Sequence, residues 1–156
     1  MQVRLPKLYA VIQEDNFTSI ATRAYNCVGY AIGDPHWWDP SGTEATVWPS
    51  HLPIRDFRIE RFLELFQLHG FVLCDNDGPA PEAGHEKIAV FGLNGEFEHV
   101  SIQTIDGRWT SKLGELEDIS HPLELLTSDL YGEIQHYLKR PGEINRRDGF
   151  PLAANR

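Results

Sequence analysis

"KIAVFGLNGEFEHVSIQTIDGRWTSKLG", residues 87–114, is the stretch on which the reading of the fold turns. Apolar and polar side chains alternate along it with period two, the pattern of strands that bury one face. "KIAVFG" is one strand, "LNGE" a turn, "FEHVSIQTI" a second strand, "DG" a turn and "RWTSKLG" a third. Asp-Gly between β-rich runs is a strong hairpin signal. The stretch therefore predicts an antiparallel meander.

The flanks read differently. Upstream, "RDFRIERFLELFQLHG" (55–70) places Ile59, Phe62, Leu63 and Phe66 at helical spacing, with Asp56 as candidate cap and Gly70 as terminator. "FVLC" (71–74) follows as a short strand. Earlier still, Asn26 is a good N-cap and "CVGYAIG" ends in Gly33, which predicts a short helix over 27–32. The twenty residues after it, "DPHWWDPSGTEATVWPSHLP", are dense in Pro, Gly and Trp and form a loop whose three tryptophans are expected to pack down. Residues 1–21 read as an irregular lead-in. Beyond the meander, Pro122 suits a first helical position, and "YGEIQHYLKR" (131–140) continues that helix or forms a last strand, towards which Gly132 tilts it. The order is helix, loop, helix, meander: an α+β domain over residues 1–140, with 141–156 a poorly ordered tail.

A chain of 156 residues carries one substantial core. With 14 Lys and Arg against 23 Asp and Glu, its formal charge is −9, which repels nucleic acid and anionic membranes. The expectation is no nucleic-acid partner and no membrane partner. No apolar leader or membrane-length run is present, and two cysteines make no disulfide framework, so a cytoplasmic location with reduced thiols is expected.

Chemistry concentrates at Cys27 and His99. A cysteine in the first turn of a helix meets unpaired backbone N–H groups, which favour the thiolate and can hold an oxyanion. His99 stands on the middle strand of the meander, a rigid place for a base. "YNCVGYA" resembles the "DCSG" helix start of NlpC-type cysteine peptidases, members of the papain-like superfamily. "HVSIQTIDGRWTSKL" is similar to their His-bearing hairpin, and "GHEKIAVFG" resembles the strand before it. The resemblance covers residues 22–34 and 84–114, under a third of the chain. The whole chain also resembles a family of uncharacterised bacterial proteins with "NC", "WW" and "WTSKLG" signatures.

The NlpC resemblance implies a papain-like domain in which Cys27 is the nucleophile, His99 the base and Ser111 the third, orienting residue. It further implies that Tyr25 offers a donor to the oxyanion. Ser111 departs from the family, because His, Asn or Asp orients an imidazole better than a lone hydroxyl does. Asp118 and His121 are the alternatives. Asn26 replaces the family's Asp and keeps the capping role. The implied reaction is hydrolysis of an amide bond in a peptide, isopeptide or side-chain amide through a thioester. Transfer of the acyl group to an amine is a further variant. A catalytically silent binding or regulatory module is the other reading.

Blander readings stand beside these. Free cysteines are usually buried hydrophobes, and Cys74 is expected in the core. Cys27, Cys74, His85, Glu86 and His99 are ligand types, but no paired metal-binding spacing joins them, so neither metal nor other cofactor is expected. "HWWDP" suits either a satellite core or a sugar- or peptide-binding surface. Ser111 and Lys112 are neighbours on a strand and so face opposite ways, which argues against a Ser-Lys pair.

Overall fold

The structure is a computed structural model that describes residues 26–34, 36–41, 46–52, 55–74, 78–103, 107–112, 118–121 and 131–142. Strands β1 (Val72–Leu73), β2 (His85–Leu93), β3 (Glu96–Gln103), β4 (Trp109–Lys112), β5 (Asp118–His121) and β6 (Glu133–Pro141) form one sheet in the order β1-β6-β2-β3-β4-β5. Every neighbouring pair is antiparallel. Two helices accompany it, α1 (Cys27–Ile32) and α2 (Ile59–Leu68).

This corrects the expected papain-like α+β domain. Among the described residues an antiparallel sheet of six strands dominates, and the helices are only 6 and 10 residues long. The helical segments are short because Gly33 and Gly70 turn the chain left-handed straight after them, at φ 86° and 92°. "YGEIQHYLKR" resolves as β6, and it adds no edge to the meander. It inserts between β1 and β2, pairing with β2 from His85↔Pro141 to Gly92↔Glu133. β5 was not foreseen. The helix expected from Pro122, the lead-in and the tail beyond Gly142 lie outside the described residues.

The turns follow their chemistry. Asn94 and Gly95 join β2 to β3 with φ of 54° and 80°, the paired left-handed geometry that an Asn-Gly hairpin adopts. α2 hooks onto this turn through Ile59 N donating to Gly95 O and Phe97 N donating to Phe57 O, both 2.9 Å. Asp56 is not its cap. It stands two residues ahead of the N-cap Arg58, accepts from the Arg58 N–H at 3.1 Å and pairs with Arg61.

Alternation along the strands separates two faces. Val90, Val100, Ile88, Ile102 and Leu138 share a core with both helices, Trp38 and Trp48. α2 contributes Ile59, Phe62, Leu65 and Phe66, and the Phe62 ring stacks on Phe97 at 3.9 Å between centroids. The opposite face is buried too, under the segment 78–84. Lys87 donates to the carbonyls of Gly78 (3.2 Å) and Ala80 (2.7 Å), and Gln103 donates to that of Pro79 (2.8 Å).

Glu82 completes this strap, bonded to Lys139 at 2.6 Å and Lys87 at 2.7 Å. The hydrogen bonds from Lys139 and then Lys87 hold its carboxyl at about 2, below the ordinary 4.5. A depressed folded pKa stabilises fully above the unfolded value and fades as pH falls through the folded one. Wild type should therefore melt above Glu82→Gln at neutral pH, and the two melting temperatures should converge as pH falls from 4.5 to about 2. A constant gap across that window would refute the assignment.

Candidate active site

Asn26 organises the site from the backbone outward. It caps α1 as expected, its Oδ1 accepting from Gly29 N at 3.0 Å. The same oxygen accepts from Trp38 N at 3.1 Å, and Nδ2 donates to Trp38 O at 2.7 Å. The buried amide thus clamps the Trp loop to the helix start. This explains Asn where the resembled motif has Asp: a carboxylate cannot donate to the Trp38 carbonyl. Asn26→Asp should lose about 2–3 kcal/mol by leaving two oxygens facing each other. Part of that should return as pH falls and the carboxyl takes up a proton to donate, which urea unfolding at several pH values would show.

Cys27 follows the cap as the first residue of α1, 9% exposed. Burial pushes its thiol up to about 11 from an ordinary 9.0. Opposing this, in order of strength, are the backbone N–H of Val100, the charge of Lys112 and the N–H groups of Val28 and Cys27. α1 lies over β3 and β4, with Tyr30 and Thr110 hydroxyls 2.7 Å apart. The pairing Ile102↔Thr110 extends to bring Lys112 beside Val100, on the helix side of the sheet. Lys112 is fully buried there.

A cavity of about 390 Å³ opens beside the sulfur. Asn26, Cys27, Val28, Trp37, Trp38 and Asp39 from α1 and the Trp loop line it together with Phe57, Phe62, Phe97, Glu98, His99 and Tyr131. At its wall β3 carries an extra residue: Phe91 pairs with His99 and Gly92 with Phe97, leaving Glu98 as a bulge. β6 is bulged at the same level, Gln135 being passed over between Ile134 and His136. Two bulges at one level of β2 bend the sheet beside the cavity.

The expected residues gather only in part. Cys27 and His99 line the same cavity, and Val100 touches the sulfur. The neighbour of Val100, His99, starts from the other side of the strand. Its ring lies parallel to Tyr131 at 4.2 Å and against Phe91 at 5.6 Å. The Ser111 hydroxyl pairs with that of Ser101 at 2.7 Å, two residues along from His99. Asp118 and His121 lie on β5, with β4 between them and the strand of His99, so their backbones stand roughly 10 Å from β3. Tyr25 lies outside the described residues.

Cys74 is half-buried and not a core thiol. His85 is exposed and Glu86 pairs with Arg140, so the ligand-type residues are dispersed. Among the described residues, no group of three His, Cys, Asp or Glu side chains is placed to hold a metal. Nor is any helix there long and apolar enough to cross a membrane.

The family described as Domain of unknown function (DUF7689) matches residues 16–139, well over half of the chain. The chain belongs to the DUF7689 family. No curated protein and no solved structure matches it. In this DUF7689 chain the matched span holds α1, the Trp loop and nearly all of the sheet, and so every residue that lines the cavity. Sequence reasoning missed the Asn26–Trp38 clamp, the bulged Glu98, Tyr131 and Lys112. None of these had a signal: Lys112 alternates with Arg108 and Thr110 on the polar phase of its run and is buried all the same.

Proposed function

We propose that the chain is a cysteine-dependent hydrolase of an amide bond. Cys27 attacks the carbonyl carbon, its S–H proton passes to His99, and the nitrogen leaves after taking that proton. Water then hydrolyses the thioester and regenerates the thiol. What supports this is one arrangement: a thiol met by the N–H groups of Val100 and Val28, on a cavity that an imidazole shares. Those N–H groups stabilise thiolate and, by the same geometry, oxyanion charge.

With its pKa near 11, the resting thiol is protonated at neutral pH. Proton transfer to His99 therefore accompanies substrate entry, through one water in the shared cavity. Alkylation with iodoacetamide, read by mass spectrometry at Cys27 with Cys74 as internal control, tests the coupling. His99→Ala should slow labelling of Cys27 at neutral pH about tenfold or more. Cys27→Ser should abolish cleavage of peptidyl aminocoumarin amides. Labelling indifferent to His99, with no cleavage dependent on Cys27, overturns the proposal.

The protonated thiol and the His99–Tyr131 stack favour a second reading, a cavity that binds a ligand without turning it over. Under it, Cys27 labels only as pH approaches 11.

A further inference from the structure

Two carboxylates converge on the cavity from separate elements: Asp39 from the Trp loop and Glu98 from the β3 bulge. No Lys or Arg lines it among the described residues. The same cavity has aromatic walls, among them Trp37, Phe57, Phe97 and Tyr131. Asp39 is held in place, Oδ2 accepting from the Trp37 indole N–H at 3.1 Å and Oδ1 from Ser41 N at 2.9 Å. A carboxylate has about four acceptor sites, so these bonds orient Asp39 without exhausting it. With the Trp37 N–H tied to Asp39, its ring face is left for contact. The half-exposed Glu98 is on the cavity because the bulge interrupts alternation there.

We propose that this cavity selects a substrate bearing a cationic side chain on an aliphatic stem, lysine or arginine in type. The stem packs on the aromatic walls, the ammonium or guanidinium lies over a ring face, and Asp39 and Glu98 neutralise it. An anionic side chain meets two like charges and is rejected. The formal charge of −9 adds long-range attraction for a cation, which salt weakens. The inference rests on the reading of this cavity as the substrate site.

The test is binding, read from Trp37 and Trp38 fluorescence in the full chain, with N-acetyl methylamides of lysine, norleucine and glutamate as probes. Lysine should bind about tenfold or more tightly than uncharged norleucine, and glutamate not measurably. Glu98→Gln and Asp39→Asn should each erase most of the advantage of lysine over norleucine. If Asp39→Asn loosens the Trp loop, Glu98→Gln decides alone. Equal binding of lysine and norleucine, or an advantage that survives Glu98→Gln, overturns the inference. Repeating the titration in Cys27→Ser separates the two claims: charge selectivity there without Cys27-dependent cleavage in the wild type would leave this inference standing and remove the hydrolase.

Discussion

Arg140→Met should cost about 3–5 kcal/mol, lowering the melting temperature by roughly 10 °C. The residue sits in the basic cluster "LKRPGEINRR", yet its side chain is 14% exposed and fully engaged. Nη1 donates to His69 O at 2.9 Å, and Nη2 donates to Ile32 O at 2.9 Å and to Glu86 at 3.2 Å. The guanidinium also lies 4.3 Å above the Phe71 ring. It therefore caps the C-terminal carbonyls of both helices with positive charge and ties them to β6.

Removing the guanidinium leaves the Glu86 carboxylate, 2% exposed, buried without its cation. That loss, rather than the deleted bonds, dominates the expected cost. Lysine should not rescue, because one ammonium cannot span three acceptors that a planar fork reaches. Adding Glu86→Gln to Arg140→Met should recover part of the stability. Urea unfolding of the two single variants and the double closes the cycle, and strictly additive losses would contradict the pairing.

Gly29→Ala should be the most damaging change in the helix that carries Cys27. In an isolated helix the substitution would gain about 1 kcal/mol. Here a Cβ on residue 29 would lie 2.1 Å from His36 O and 2.6 Å from Asp34 O. Both obstacles are backbone, so the turn behind the helix must move. That turn leads into Trp38, the partner of Asn26, so the shift breaks the clamp as well. A net loss of about 3 kcal/mol follows from overpacking a site that cannot give. Cys27 should at the same time become easier to alkylate near pH 8, as its pKa falls from about 11 back towards the ordinary 9.0. An alanine variant as stable as wild type, with an equally slow thiol, would show that the turn does not bear on α1.

Local chemistry explains how much was legible. α1 runs from the Asn26 cap to the left-handed Gly33 as its signals predict, and the turn at Asn94-Gly95 lies where the dipeptide demands. Of the three tryptophans expected to pack down, Trp38 and Trp48 are buried in the core, whereas Trp37 is half-buried on the cavity. At the site, Cys27 and His99 reach one cavity, but Ser111 pairs with Ser101, because strand register rather than sequence distance chooses its neighbour.

By itself, then, the sequence determined the short-range features: two brief helices, the hairpin turn at Asn94-Gly95 and the three strands of the meander. These follow from residues within a few positions of one another, through caps, left-handed turns and period. Only the tertiary structure decided that residues 133–141 insert between β1 and β2, that Glu98 bulges into the cavity, and that His99 rests on Tyr131. Each of those depends on which strand lies alongside, over separations of tens of residues, and period-two alternation is silent about partners. For the same reason it was the sheet, not the motif around Cys27, that displaced the papain-like expectation.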